Sequence, residues 1–184
     1  MQQIKFENRL FCQNGLRCLI SVDGTDFHIY EPSPFWKGWF SHKFNGPALR
    51  YEVGICIQTG WIVWIKGPFA AGHWSNIKIF RGWLKTKLLP DEFVEADRGY
   101  GGNDKISAPD DDAPSLYYFY SKGNVQARHE TVNRRFKQFD CLHHRVRHDK
   151  EKHALYFDAV AVAVLTQLSI QSGEPLYDVE YKSG

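Results

Sequence analysis

The apolar positions of the chain follow two different spacings, and their order predicts a mixture of strands and helices. Short apolar runs rich in β-branched and aromatic residues predict strands over 17–22, 27–30, 51–58, 61–66 and 93–97. Apolar residues at helical spacing predict helices over 75–88 and 125–139, and a longer apolar stretch predicts a helix buried on nearly all sides over 154–170. This order indicates an α/β protein whose sheet begins with an antiparallel unit.

Two of the predicted strands end in an aspartate. The first run leads into Asp23-Gly24, and the run over 93–97 ends at Asp97, which several glycines follow. Glycine supplies the backbone freedom that a turn needs, so both aspartates are predicted to lie at strand ends. Asp26, beyond the glycine, is interpreted as an ordinary turn residue ahead of the short strand over 27–30.

The connections between these elements are uneven in character. The third and fourth strands, joined by Thr59-Gly60, predict a hairpin. Residues 31–47 hold three prolines and several large aromatic residues, which predicts an ordered loop packed on the core. A short strand is predicted over 105–108, the acidic run 110–112 is interpreted as a solvated loop, and 116–120 as buried packing.

The predicted helix over 125–139 separates apolar from charged side chains. Its apolar side is formed by Val125, Val132, Phe136 and Phe139. The opposite side carries Glu130 close to Arg134 and Lys137. An ordinary amphipathic helix with a solvent-exposed Glu–Arg pair is sufficient to explain this pattern when the helix is considered by itself.

Composition limits the classes of protein that need to be considered. The chain has 184 residues, of which 43% are hydrophobic and 15% aromatic, which indicates one globular domain with a substantial core. The first nine residues contain no signal-peptide pattern, and the longest apolar run, 159–165, is too short to cross a bilayer. Four scattered cysteines without a CxxC pair favour a reducing, intracellular setting. The formal charge of +2 does not by itself indicate a nucleic-acid-binding protein.

Taken together, three acidic residues suggest a metal site. Asp23 and Asp97 at strand ends and Glu130 on a later helix would supply the oxygen ligands that hard divalent cations require. Two such ions can activate the attacking oxygen and stabilise the leaving oxygen in phosphodiester displacement. The cations beside Glu130 would then hold nucleic-acid phosphates next to the metals.

Three segments carry a resemblance to a known family. Residues 21–27 (SVDGTDF), 95–100 (EADRGY) and 127–139 (ARHETVNRRFKQF) resemble the three catalytic blocks of DDE transposases of the PIF/Harbinger type. The resemblance implies an RNase H-like fold, a mixed sheet flanked by helices, with Asp23, Asp97 and Glu130 holding two Mg²⁺ or Mn²⁺ ions. In that family a metal-activated water cuts DNA at the element ends, and the freed 3′-hydroxyl attacks target DNA. The third block implies a set of DNA-contacting residues, namely Arg128, His129, Asn133, Arg134 and Lys137.

The resemblance also sets expectations about organisation and partners. Only 22 residues precede Asp23, so residues 1–184 are expected to form a single catalytic domain without an upstream helical DNA-binding domain. Its partners would be DNA, a separate DNA-binding subunit and a second copy of the chain, in the nucleus if the source is eukaryotic. Position 76 is Asn where relatives often carry Asp. The histidine-rich segment 141–153 is interpreted as a basic surface near DNA rather than a zinc site.

Two other readings of the same residues remain open. One is a domesticated or degenerate transposase derivative that binds DNA or a protein without cutting. The other is an RNase H-like nuclease that acts on RNA or hybrids, against which the third block argues. Cleavage of DNA, and its loss on substitution of an aspartate, would separate the first reading from a transposase nuclease.

Overall fold

The computed structural model describes residues 4–12, 18–102, 104–107, 116–146 and 150–172, with the side chains of 11, 12, 116–122, 150 and 168–172 left aside. Its centre is a mixed sheet of six strands: β1 Cys18–His28, β2 Phe40–Ser41, β3 Gly46–Cys56, β4 Ile62–Ala70, β5 Phe93–Ala96 and β6 Ile106–Ser107. The strand order is β2-β3-β1-β5-β6, and β4 also pairs with β3. The pairs β1–β3 and β3–β4 are antiparallel, whereas β1–β5 and β5–β6 are parallel.

Helices flank this sheet. The longer ones are α2 Leu116–Phe136 and α4 Lys150–Ser172, and the shorter ones are α1 Asn76–Ile79 and α3 Asp140–His143. A π turn over Phe80–Leu84 and a 3₁₀ turn over Lys85–Lys87 extend α1. Further 3₁₀ turns lie at Phe6–Cys12, Lys37–Trp39 and Arg98–Tyr100. The α/β fold class is therefore confirmed, and a mixed sheet flanked by helices agrees with the RNase H-like fold that the sequence predicts.

One face of the sheet packs against α2 and α4. Phe27 of β1 and Tyr51 of β3 lie against Phe157 of α4, with ring centroids 5.3 and 4.0 Å from that ring. Phe136 at the end of α2 contacts the same Phe157 at 5.1 Å. Because side chains alternate along a strand, the odd-numbered positions of β1 face these two helices.

The other face packs against the α1 segment. Ile20 and Val22 of β1 share a buried cluster with Val94 of β5 and with Phe80 and Leu84. These strand positions are even-numbered, as alternation requires. The apolar side of the predicted helix over 75–88 is thus confirmed, although a π turn interrupts its regular α-helical spacing.

The first strand differs from its predicted form. Asp23-Gly24 was expected to end it, but β1 is continuous and pairs with β3 without a break from Ile20 to His28. The glycine serves packing instead of a turn, since a Cβ at Gly24 would lie 2.2 Å from the side-chain oxygen of Asn76. Asp23 consequently lies in the middle of a strand, and the prediction of a strand end there is wrong.

Asp26 also has a different role from the one predicted. Its side chain is 1% exposed and accepts hydrogen bonds from Arg50 Nε at 2.6 Å and Arg50 Nη2 at 2.8 Å. Ser41 Oγ donates to the same carboxylate at 2.6 Å. Asp26 is therefore a buried, ion-paired strand residue that joins β1 to β2 and β3, and the interpretation as a turn residue is wrong.

The remaining predicted elements agree with the structure in part. The hairpin is confirmed as β3 and β4, and the strands over 93–97 and 105–108 as β5 and β6. The helix expected from 125 begins at Leu116. Burial of α4 on nearly all sides is wrong: Leu155 is 68% and Tyr156 39% exposed, because the helix covers the sheet with one face alone.

Some expectations fall outside the described residues. These are the acidic run 110–112 and the packing of the side chains over 116–120. Cys18, Cys56 and Cys141 are free thiols. Among the helices of the described ranges, none combines the length and the apolar character that a bilayer crossing demands.

Candidate active site

Parallel pairing of β1 and β5 brings two aspartates together. Val22 pairs with Ala96, and the next residues along the two strands are Asp23 and Asp97. Strand alternation points both side chains to the face that α2 covers, the face of the buried Ser21. β5 ends at this point while β1 continues, so Asp97 is exposed at the strand end and Asp23 is half-buried.

Helix α2 covers the cleft on the side opposite the sheet. Asn133 donates a hydrogen bond from Nδ2 to Asp23 Oδ2 at 3.2 Å, and His129 Nε2 lies 2.9 Å from Ser21 Oγ. The resulting cleft has a volume of about 140 Å³ and is lined by Ser21, Val22, Asp23, Glu95, Ala96, Asp97, Val125, Gln126, His129 and Glu130. All three acidic residues that the sequence singled out therefore face one cavity.

Backbone donors hold the two aspartates in place. The Gly24 N–H donates to Asp23 Oδ1 at 2.7 Å, and the Gly99 N–H donates to Asp97 Oδ1 at 2.9 Å. The second contact caps the 3₁₀ turn that follows β5. Each carboxylate keeps lone pairs that face the cleft, because a carboxylate offers about four acceptor positions.

The pKa values of both aspartates in the cleft are raised. Burial raises the pKa of Asp23, and the Gly24 N–H and the charge of Lys43 oppose that rise. Displacement of water by the surrounding protein, together with the negative charge of Asp23, raises the pKa of Asp97. Two neighbouring carboxylates that repel each other form a favourable place for a cation.

Glu130 lines the same cleft but does not complete a cluster. It is exposed on α2, one residue after the buried His129 and one helical turn before Asn133. Within the described ranges no group of three Asp, Glu, His or Cys side chains is close enough to hold a metal ion. The oxygen donors of Asp23 and Asp97 fit a hard divalent cation, and Glu130 would have to turn into the cleft to become a third ligand.

The expected DNA-contacting residues divide into two groups. Arg128 is 1% exposed and donates from Nη1 to the carbonyl oxygen of Ile57. His129 is also buried, and burial lowers its pKa to about 4, so it is neutral at pH 7. Neither side chain presents a cation to solvent, and the expectation that both contact DNA does not fit these positions.

Arg134, Lys137 and Asn133 are placed differently. Arg134 is exposed on α2, and Asn133 contacts Asp23 directly. Lys137 Nζ lies 5.9 Å from the ring centroid of Phe44. Burial and the positive charge of Lys43 lower the pKa of Lys137. The cations next to the acidic cleft thus come from α2 and from the loop between β2 and β3.

The histidine-rich segment is split between surface and core. His143, His144 and Arg145 are exposed and border a cavity of about 330 Å³ that Lys137 also lines. His153 is fully buried instead, and its Nδ1 lies 2.7 Å from the Tyr51 hydroxyl. The expectation of a basic surface applies to the first three residues and is wrong for His153, because α4 carries that ring into the core.

Several residues of the site were missed in the sequence. Ser21 and Glu95 precede Asp23 and Asp97 by two positions, so the period of a strand could have placed them on the same face. Both are buried and line the cleft. Lys43 does not line the cleft, but its charge, carried by the loop between β2 and β3, lowers the pKa of Asp23. Asn76, already singled out in the sequence, packs against Gly24, the residue after Asp23.

The fold and the site define a class of protein. An RNase H-like sheet with two adjacent aspartates facing a helix that bears a glutamate is an arrangement suited to phosphodiester chemistry. The family model described as DDE superfamily endonuclease matches residues 22–167, well over half of the chain. The chain belongs to this family. Neither the comparison with curated proteins nor the comparison with solved structures found a match.

Proposed function

We propose that the chain is a divalent-metal-dependent DNA endonuclease of the transposase type, acting by cleavage and strand transfer. One observation carries the proposal: within a DDE superfamily endonuclease, Asp23 and Asp97 follow the Val22–Ala96 pair on adjacent parallel strands and face the cleft that Glu130 lines. The three motif blocks support the PIF/Harbinger type within that family.

The residues of the cleft would have distinct roles. A pair of Mg²⁺ or Mn²⁺ ions, when bound, activates the attacking oxygen and stabilises the leaving oxygen of the phosphodiester. Asp23 and Asp97 would hold the ions, and Glu130 would join them after a change of rotamer. Asn133 orients Asp23 through its 3.2 Å hydrogen bond. Arg134 and Lys137 would bind phosphates of the DNA beside the cleft.

The proposal is tested by incubating supercoiled plasmid with the protein and Mg²⁺ or Mn²⁺. We expect nicking by the wild type and a loss of at least about a hundredfold in Asp97→Asn, because even outer contacts of metal ligands affect activity by about 10–100-fold. The matched control is Asp104→Asn, which removes an exposed aspartate bound to Lys85 on the surface. Equal cleavage by wild type and Asp97→Asn would contradict the proposal.

The exposed position of Glu130 favours a second function, DNA binding without cleavage. A derivative of the same family that binds DNA without cutting would not need three converging acids, and among the described residues no third acid lies close enough to Asp23 and Asp97 to complete a metal site. Plasmid binding without nicking under either ion would support this alternative. Joining of an oligonucleotide with a free 3′-hydroxyl to target plasmid would support the transposase. A separate DNA-binding subunit and a homodimer are further proposals.

A further inference from the structure

A second, larger cavity lies in the segment that connects β1 to β3. Its volume is about 590 Å³, compared with about 140 Å³ for the acidic cleft. The wall carries aromatic and basic side chains, chiefly Phe35, Lys37, Phe40, His42, Lys43 and Arg50. We call it the basic aromatic pocket. The cleavage site described above does not use it.

Arg50, in the wall of this pocket, is held in an ion pair with the buried Asp26. Arg50 donates two hydrogen bonds to Asp26 and a third, from Nη1, to the carbonyl oxygen of Trp74 at 3.1 Å. Ser41 fixes the same carboxylate. The charge of Asp26 is therefore already balanced by Arg50, so it does not neutralise the lysines above it.

The rim of the pocket carries cations without a carboxylate at ion-pair distance. Lys37 and Lys43 are both exposed, and neither lies within 4.0 Å of an Asp or Glu oxygen among the described residues. Lys43 also repels Lys137 on α2. Cations gathered in this way attract an anionic chain such as a phosphodiester backbone.

Aromatic rings in the pocket provide surfaces on which nucleic-acid bases can stack. Phe35 is 49% exposed at the rim, and Phe40 lies edge-to-face with His42 at 5.3 Å between ring centroids. Aromatic side chains in a basic groove stack on the faces of unpaired bases. A duplex keeps those faces stacked inside, so the combination selects a single strand.

Lys43 links this pocket to the acidic cleft. It lines the pocket, and the next residue, Phe44, has its ring centroid 5.9 Å from Lys137 Nζ on α2, the helix whose Asn133 holds Asp23. We propose that the basic aromatic pocket binds an unpaired DNA segment next to the phosphate that is cut, with Phe35 stacking on a base and Lys43 contacting the backbone. This inference rests on the proposed endonuclease function, which it deepens by naming the form of DNA that is held.

The test measures binding of fluorescein-labelled dT12 by anisotropy, with EDTA present so that cleavage does not interfere. We expect wild type to bind dT12 more tightly than a duplex of the same length. Phe35→Ala should weaken dT12 binding about tenfold, the loss typical of one base–aromatic stack. Lys43→Gln should reduce the slope of log Kd against log salt by about 0.7, the value for one phosphate contact on a single strand.

Two variants far from the pocket serve as controls. Tyr156→Ala removes a 39% exposed aromatic ring from α4, and Lys87→Gln removes an exposed cation at the end of the α1 segment. Both should bind dT12 as wild type does. Thermal unfolding of each variant checks that it is folded; Phe35 and Lys43 are exposed, so their substitution should leave the unfolding temperature unchanged.

The outcomes separate this inference from the function on which it rests. Unchanged dT12 binding in both pocket variants would overturn the pocket proposal. So would tighter binding by wild type of the duplex, or of an RNA oligomer of the same length, than of dT12. Plasmid nicking that depends on Asp97 would still stand in that case. Conversely, dT12 binding that depends on Phe35 without any nicking would preserve the pocket and remove the endonuclease.

Discussion

At the scale of single residues, environment separates carboxylates that look alike in the sequence. Asp23 and Asp97 face a cleft and repel each other, whereas Asp26 is neutralised by Arg50. Asp104 lies on the surface beside Lys85. Asp23 and Asp97 are therefore suited to bind a cation. Asp26 stabilises the fold through its buried ion pair, and Asp104 forms an exposed ion pair on the surface.

Glu52 provides a pH-dependent prediction at this scale. It is fully buried on β3 and accepts a hydrogen bond from Trp64 Nε1 at 2.9 Å. Burial raises the pKa of its carboxyl from 4.5 to about 8. The folded protein thus retains a proton that the unfolded chain loses between these values, so stability falls as pH rises through this window, by up to about 1.4 kcal/mol per pH unit.

The substitution Glu52→Gln should remove this dependence. Glutamine keeps an oxygen for Trp64 but does not titrate, so its free energy of unfolding relative to wild type should increase between pH 5 and pH 8. Urea unfolding at both pH values measures the difference. Glu31→Gln, at an exposed glutamate, is the control. A difference of the same size at pH 5 and pH 8 would mean that Glu52 is not the group that titrates.

How far the sequence could predict the site depends on the residue. Asp23, Asp97 and Glu130 stand out in their motifs, and the structure places all three at one cleft. Burial of Arg128 was not predictable from helix periodicity, because the Ile57 carbonyl that it contacts belongs to a distant strand end. Long-range contacts of this kind override local pattern.

At the level of strands and helices, strand pairing decides where a strand ends when the local sequence does not. Asp23-Gly24 has the composition of a turn, yet β3 pairs with β1 without a break from Ile20 to His28. A glycine is needed at position 24 because Asn76 packs against it and leaves no room for a Cβ. That contact joins two elements far apart in the sequence. The hairpin of β3 and β4 was predictable because its signal is local.

The Asp26–Arg50 pair is an element-scale prediction. It ties β1 to β3, and Arg50→Ala would leave the carboxylate of Asp26, 1% exposed, without its counter-charge. Breaking a buried pair in this way costs about 3–5 kcal/mol. Urea unfolding of Arg50→Ala should show a loss of this order, and Lys85→Ala, which breaks the exposed pair with Asp104, should show little change. Equal losses in the two variants would contradict the assigned role of Asp26.

At the scale of the whole molecule, one sheet supports two neighbouring cavities. The face covered by α2 holds the acidic cleft, and the connection from β1 to β3 holds the basic aromatic pocket. Lys43 lines the pocket, and its charge also lowers the pKa of Asp23 in the cleft. Asp23 and Asp26 point to different faces of β1, and a strand held in the pocket would reach the cleft past Lys43.

Asp23 and Asp97 are proposed to share a divalent cation, with Glu130 as a further ligand. Anomalous diffraction from crystals grown with Mn²⁺ tests this site, because the position of Mn²⁺ is seen independently of activity. We expect an anomalous peak in contact with both aspartates, with Glu130 turned into the cleft. A cleft without such a peak at saturating Mn²⁺, or a peak that contacts neither aspartate, would contradict the proposed metal site.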